Sequence, residues 1–220
     1  GTEVHTPATD AVLAEIVGRL SAQARPQGFE YHWRVVRRRE VNAFALPGGQ
    51  IVVFEGLLRR AARADQVAGV LGHEIAHVTF RHGLRAVARS AGVSIGVRVL
   101  LGDASALGDV MRSVGASAIL NSYSRDQESD ADLEGARMVA AAGLDPRGLE
   151  EFFDLLRGES GSEMPGMLAW MSTHPGHNER IAALTHALPT LPRGPAVPLA
   201  TPWAQVQAEI NALGAIPARE

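Results

Sequence analysis

The stretch VLGHEIAHVTFRH, Val70 to His82, constrains this chain more than any other. It sets two histidines, His73 and His77, four residues apart, with Glu74 directly after the first. On an α-helix residues i and i+4 lie on one face, so both imidazoles can aim at one point. Val67, Val70, Leu71 and Ile75 form an apolar face on the same segment. The spacing therefore predicts a helix packed into a core with polar, titratable side chains beside it, preceded by Asp65 as a cap. Any fold for this chain must bury that helix and still satisfy its histidines.

The remainder of the pattern reads as α+β. A helix is expected from the Thr9 or Asp10 cap onward, with Val12, Leu13, Ile16, Val17 and Leu20 at helical spacing. FEYHWRVVR alternates and reads as a strand. VNAFALPGGQIVVFEGLL holds Pro47-Gly48-Gly49 between two strand-like runs and reads as a hairpin. Helical pattern follows over 65–82, 84–101, 104–120, 122–142, 146–157, 165–172 and 177–187. A proline-rich connector then delivers a last helix, WAQVQAEINALG. The expected fold is mainly helical α+β with a small antiparallel sheet. One domain is expected over 1–190, with residues 191–220 packed on it as connector and C-terminal helix.

Composition removes several function classes. Hydrophobic residues make up 46% and charged residues 20%, which suits a globular domain, and the net charge of −3 gives no electrostatic case for nucleic acid. All 21 basic residues are arginine, and Arg37-Arg38-Arg39 reads as a solvated strand end. The absence of cysteine excludes disulfides, thiolate catalysis and Cys-type zinc sites. The best membrane candidate, AGVSIGVRVLLG, is about half the roughly 20 apolar residues a span needs. It is expected as a buried helix, with Gly92 and Gly96 admitting a close neighbour. Membrane anchoring is expected only through a segment preceding Gly1.

HExxH on a helix is a metalloprotease signature: the histidines hold zinc and the glutamate holds a water. A catalytic zinc needs a third protein ligand. His82, five residues after His77, falls off the ligand face and reads as structural or solvated. NSYSRDQESDADLEG offers Glu128 and Asp132, again i and i+4, one suited to the metal and one to the far nitrogen of a ligand histidine. Asp126, Asp130 and Glu134 fall on other faces. The small residues Ala131, Gly135 and Ala136 indicate that this helix is packed, so its inward acids need a cation.

Four stretches in order, NAFALPGGQIVVFEGLL, LGHEIAHVTFRH, SRDQESDAD and STHPGHNERI, resemble the M48 family of zinc metallopeptidases. The resemblance runs from about Val41 to Leu184 and implies a zincin-like catalytic domain of gluzincin type. Gly176-His177 departs from the bulkier or acidic residues common there. The resemblance implies one Zn2+ per chain held by His73, His77 and Glu128, with Glu74 as general base on a zinc-bound water. It implies Asp132 as the orienting partner of His73, and His174 and Arg180 as donors to the tetrahedral intermediate. His174 has a second expected job, shutting the site from a loop next to Met164, Met167 and Met171. Asn42, Ala43 and Phe44 would hold an extended substrate by edge-strand addition. The expected function is hydrolysis of unfolded or misfolded polypeptides in the bacterial cell envelope or periplasm. The alternative is a zinc-binding, chaperone-like quality-control module that rarely cuts.

Overall fold

The computed structural model describes residues 2–25, 28–101, 103, 105, 123–158, 170, 174 and 177–216. The expected helix 104–120 lies outside the described residues. So does 165–172 apart from Trp170, together with Met164, Met167, Met171 and the side chain of His177.

The chain opens with β1 (Glu3–Val4) and α1 (Pro7–Ser21). The helix begins earlier than the expected Thr9 or Asp10 cap. Pro7 supplies a first-turn φ already suited to a helix, and the extended Thr6 precedes it. Three strands follow: β2 (His32–Val36), β3 (Ala43–Leu46) and β4 (Gln50–Phe54). The hairpin between β3 and β4 turns at Pro47-Gly48-Gly49. The amide of Gly49 donates to the carbonyl of Leu46 at 3.2 Å, and Gly48 and Gly49 take φ of 91° and 86°. Those values favour glycine, and the proline before them suits the second position of a type II turn.

The fold class is as expected: mainly helical α+β with a small sheet. The sheet itself is mixed, in the order β1-β2-β4-β3. β4 lies parallel to β2 because the chain crosses from β2 to the far side before the hairpin brings β4 back between them. This leaves β3 at the edge, and α3 packs against it.

The helices that follow are α2 (Glu55–Arg60), α3 (Ala64–Thr79), α4 (His82–Ala91), α5 (Val93–Leu100), α6 (Arg125–Ala141), α7 (Gly148–Gly158), α8 (His177–Ala187) and, after a 3-10 turn at Leu188–Thr190, α9 (Trp203–Ala212). α3 is the core helix. Val67, Val70, Leu71 and Ile75 are fully buried, and it packs chiefly on α6 and α7. Its N-cap is Arg63, not Asp65. The Asp65 carboxylate instead accepts the amide of Asp145, tying α3 to the α6–α7 turn.

The expected helix 84–101 is two helices, broken at Gly92 with φ 94°. A Cβ on Gly96 would lie 2.9 Å from Ala88 Cβ, so the close approach expected there is between α4 and α5. α5 is only partly buried: Val99 faces inward while Val97 and Leu101 are exposed. No described helix is long and apolar enough to cross a membrane.

The arginine run is not a solvated end. Arg37 donates to the carbonyls of Leu213 and Ala215 and approaches Glu55 at 3.1 Å, and Arg39 donates to the carbonyl of Ile216. The connector runs across α6 and α1, with Gly194 bonded to the Ala140 carbonyl and Arg19 to the Val197 and Pro198 carbonyls. α9 then buries Val206 and Ile210 against α1 and α2.

Candidate active site

α3 and α6 cross where both carry glycine. A Cβ on Gly135 would lie 2.7 Å from the backbone nitrogen of His73, and one on Gly72 would lie 2.9 Å from the Gly135 carbonyl oxygen. Only two bare backbones pack this closely, and the contact sets Glu128 and Asp132 directly over His73 and His77. α6 is held at its start by a reciprocal cap. Ser124 accepts the Gln127 amide and the Gln127 side chain accepts the Ser124 amide.

His73, His77, Glu128 and His174 offer donor atoms that all lie within 4.8 Å of one another, and all four residues are buried. His174 Nδ1 is 3.0 Å from Glu128 Oε2 and 3.2 Å from His73 Nε2. Its ring stacks on Trp170 at 4.2 Å, and Trp170 meets Phe152 edge-on at 5.6 Å. Glu74 lies alongside. Its Oε2 accepts the Ala45 amide at 2.8 Å. Its Oε1 faces His174 Nε2 at 3.5 Å, and neither atom has a hydrogen-bond partner. Two orphaned buried atoms beside a convergent set of imidazoles and one carboxylate is what a divalent cation with its water would satisfy. The nitrogen and oxygen donors fit zinc.

Behind the donors lies a layer of orienting groups. Asp132 Oδ1 is 2.8 Å from His73 Nδ1, which leaves Nε2 for the metal. Arg180, also buried, grips Asp132 with two hydrogen bonds of 2.7 Å, reaches Glu128 Oε2 at 2.8 Å and donates to the His174 carbonyl at 3.1 Å. Its guanidinium thus joins both carboxylates of α6 to the His174 segment. The sequence reading set Arg180 with the donors to the intermediate; here it bonds Asp132, Glu128 and the His174 carbonyl, and its guanidinium lies over the Phe153 ring at 5.4 Å. His82 supplies the matching contact for the other ligand helix position, its Nδ1 2.9 Å from His77 Nδ1. Spacing had placed it off the ligand face as structural or solvated; it lies outside the donor cluster but is buried against His77. The signal that brings it back is Arg81, which takes φ 56° and folds α4 against the end of α3. Tyr123 stacks on His77 at 4.3 Å and was also missed.

The electrostatics follow from burial against pairing. Burial alone would lower His73, but its hydrogen bond and charge interaction with Asp132 raise its pKa. Burial, then the neighbouring His73, hold His77 well below the usual histidine range. Burial raises Glu74, partly offset by His174. Burial works against Glu128 and Asp132, yet His174 lowers the first and Arg180 and His73 lower the second, so both stay ionised.

A family model described as peptidase family M48 matches residues 7–188. The chain belongs to peptidase family M48. It is a metalloendopeptidase domain of that family, with a buried His/His/Glu/His cluster able to bind a metal. Among its M48 relatives, it is 30% identical to the mitochondrial metalloendopeptidase OMA1 of Schizosaccharomyces pombe over 82% of this chain and 53% of the relative. It is 31% identical to the putative beta-barrel assembly-enhancing protease of Vibrio cholerae over 81% of this chain and 39% of the relative. The corresponding Escherichia coli protease is 29% identical over the same shares. This M48 chain thus spans about half, or less, of the length of these relatives.

The expected substrate strand is the edge strand β3. Phe54 donates to the Asn42 carbonyl, so Phe44 pairs with β4 while the amides and carbonyls of Ala43 and Ala45 turn away from β4, both residues being buried and the Ala45 amide bonded to Glu74. Asn42 is buried and its Oδ1 has no hydrogen-bond partner. Phe44 instead packs edge-on against Phe54 at 5.8 Å.

Proposed function

We propose that this domain is a zinc endopeptidase acting on unfolded or misfolded polypeptides of the bacterial cell envelope, with His73, His77 and Glu128 as the zinc ligands. One observation carries the chemistry: Glu74 is buried between the donor cluster and the amide of Ala45 on the edge strand. Base, metal donors and substrate edge therefore meet at the Glu74 side chain. Zinc, when bound, supplies Lewis acidity that polarises the scissile carbonyl and makes a water nucleophilic near neutral pH.

The chain's own groups do the rest. Ala43 and Asn42 hold the substrate backbone as an added strand, Asn42 Oδ1 accepting an amide proton. Glu74 takes the proton of the attacking water and delivers it to the leaving nitrogen. Its raised pKa suits a group that must both accept and return a proton. Asp132 and Arg180 position His73 and Glu128. His174 would serve as a further donor to the metal in the resting enzyme and, once freed by substrate, would donate a hydrogen bond to the intermediate. Main-chain pairing at β3 reads no sequence, which suits unfolded chains. The envelope assignment rests on the similarity to the beta-barrel assembly-enhancing proteases.

The test is Glu74→Gln. The amide keeps the size and the metal but cannot accept a proton. Chelator-sensitive cleavage of casein should fall by at least about a hundredfold, with zinc still bound at one per chain. Activity within about tenfold of wild type would remove Glu74 as the base. No chelator-sensitive cleavage by the wild type would favour a binding module. A His73→Ala, His77→Ala double variant that retained zinc would exclude the ligand set.

A further inference from the structure

A cavity of about 60 Å3 opens beside the donor cluster on the side of β3 away from Asn42. Ala45 and His77 line the wall it shares with the site. Leu46, Pro47, Val78, Leu84 and Val99 supply its aliphatic walls, and Phe29 and Tyr123 its aromatic ones. Arg81 is the only charged lining residue among those described, and it is exposed. The peptidase reading assigns no occupant to this space. It is continuous with the residue whose amide binds the catalytic glutamate, so a polypeptide laid along β3 passes its mouth.

From this geometry we infer that the cavity receives a substrate side chain on the amino side of the cleaved bond and selects small aliphatic residues. The inference rests on the endopeptidase reading above. The polarity of the strand gives the side. Antiparallel addition is the more stable pairing, and it runs the substrate from Leu46 toward Ala43. The cavity lies at the Leu46 end, so it meets residues that precede the cleaved bond. The lining gives the chemistry, since apolar walls disfavour a charged or strongly polar side chain. The size sets the upper limit. A cavity that holds benzene measures about 150 Å3, and this one is less than half that, so a branched aliphatic group fits and an aromatic ring does not.

Gly83 at the start of α4 is the residue that keeps the space open. A Cβ there would lie 3.2 Å from Tyr123 Oη and 3.4 Å from the Pro47 ring, closing the gap between two walls of the cavity. Its backbone is not in the left-handed region, so alanine is tolerated by the helix. Leu84 stands on the opposite footing, since truncating it enlarges the cavity.

The experiment digests unfolded casein with zinc-loaded wild type, Gly83→Ala and Leu84→Ala, and maps the cut sites by mass spectrometry. Wild type should favour Ala, Val or Leu within the two residues before the cut, with Phe, Tyr and Trp depleted. In Gly83→Ala the preference for Val and Leu over Gly and Ala should fall roughly tenfold, the scale of one methylene in an apolar pocket. Leu84→Ala should admit Phe. The same residue preference in all three proteins, or a preference found only after the cut, would overturn the inference. If Gly83→Ala does not fold, the Leu84→Ala profile decides alone. Absence of chelator-sensitive products from the wild type is a different result: it overturns the peptidase reading, and the pocket assignment with it.

Discussion

His82 shows how a residue outside the motif is drawn into its chemistry. Five residues after His77, a continuous helix would carry it away from the ligand face. Arg81 at φ 56° ends α3 and returns the chain, and His82 Nδ1 comes within hydrogen-bond range of His77 Nδ1. Burial holds His82 down at about 4, so it is neutral near pH 7 and can accept the His77 Nδ1 proton, leaving His77 Nε2 for the metal. His82→Ala should strand that N–H in a buried setting, at a cost of about 1–3 kcal/mol. Zinc affinity, measured by competition with a chromogenic chelator, should weaken by roughly ten- to a hundredfold. His82→Asn, which restores an acceptor, should recover part of both. Unchanged zinc affinity in His82→Ala would reduce the contact to packing. His73, Glu74 and His77 were legible from helix period, and Glu128 and Asp132 as a pair on one face; the family resemblance, not the period, set Glu128 with the donors. His82 and Tyr123 were not legible, because their place depends on one left-handed arginine and on a packing contact across the fold.

Among the elements, the crossing of α3 and α6 decides whether the ligands meet. The sequence indicated a packed second helix from Ala131, Gly135 and Ala136, but not that Gly135 would rest on the backbone of His73. Gly135→Ala adds a methyl where 2.7 Å is available, with backbone rather than a flexible side chain opposing it. The helices must separate, and Glu128 and Asp132 move with α6. Overpacking of this kind costs about 1–3 kcal/mol, so thermal unfolding should shift down, with an added loss of bound zinc. Normal zinc content and normal melting in Gly135→Ala would show that the crossing has slack the distances do not suggest. The mixed sheet has a similar origin. The alternation of β2, β3 and β4 was readable, and so was the Pro47 turn. The choice of β4 over β3 as the neighbour of β2 was not, because it is made by the crossover after Val36. That choice also leaves β3 at the sheet's edge, with the Ala45 amide turned to Glu74 rather than to a neighbouring strand.

At the scale of the whole molecule, the donor cluster joins three parts of the chain that are distant in sequence: α3, α6 and the segment at His174. Without a cation the site buries Glu128 and Asp132 against Arg180 and a set of imidazoles, and leaves Glu74 Oε1 and His174 Nε2 without partners. A bound metal satisfies these groups only when all three parts are in place, so its binding free energy stabilises the folded state by linkage. At a free zinc concentration a hundred times the dissociation constant, the gain is about 2.7 kcal/mol. For a chain of this size that corresponds to a melting temperature roughly 5–10 °C higher. Removing zinc with a chelator should therefore lower the melting temperature by about that amount, and readdition should restore it. The His174→Ala variant separates two contributions. If His174 is a resting ligand, the variant should show a smaller chelator-induced shift than wild type and faster cleavage of casein, because a donor is gone and the site is open. If its main work is on the intermediate, casein cleavage should instead fall by roughly a hundredfold or more while the chelator shift is unchanged. We expect the first pattern, since His174 lies 3.0 Å from Glu128 and 3.2 Å from His73, fully buried and stacked on Trp170. A variant with a wild-type chelator shift and no gain in cleavage would exclude it.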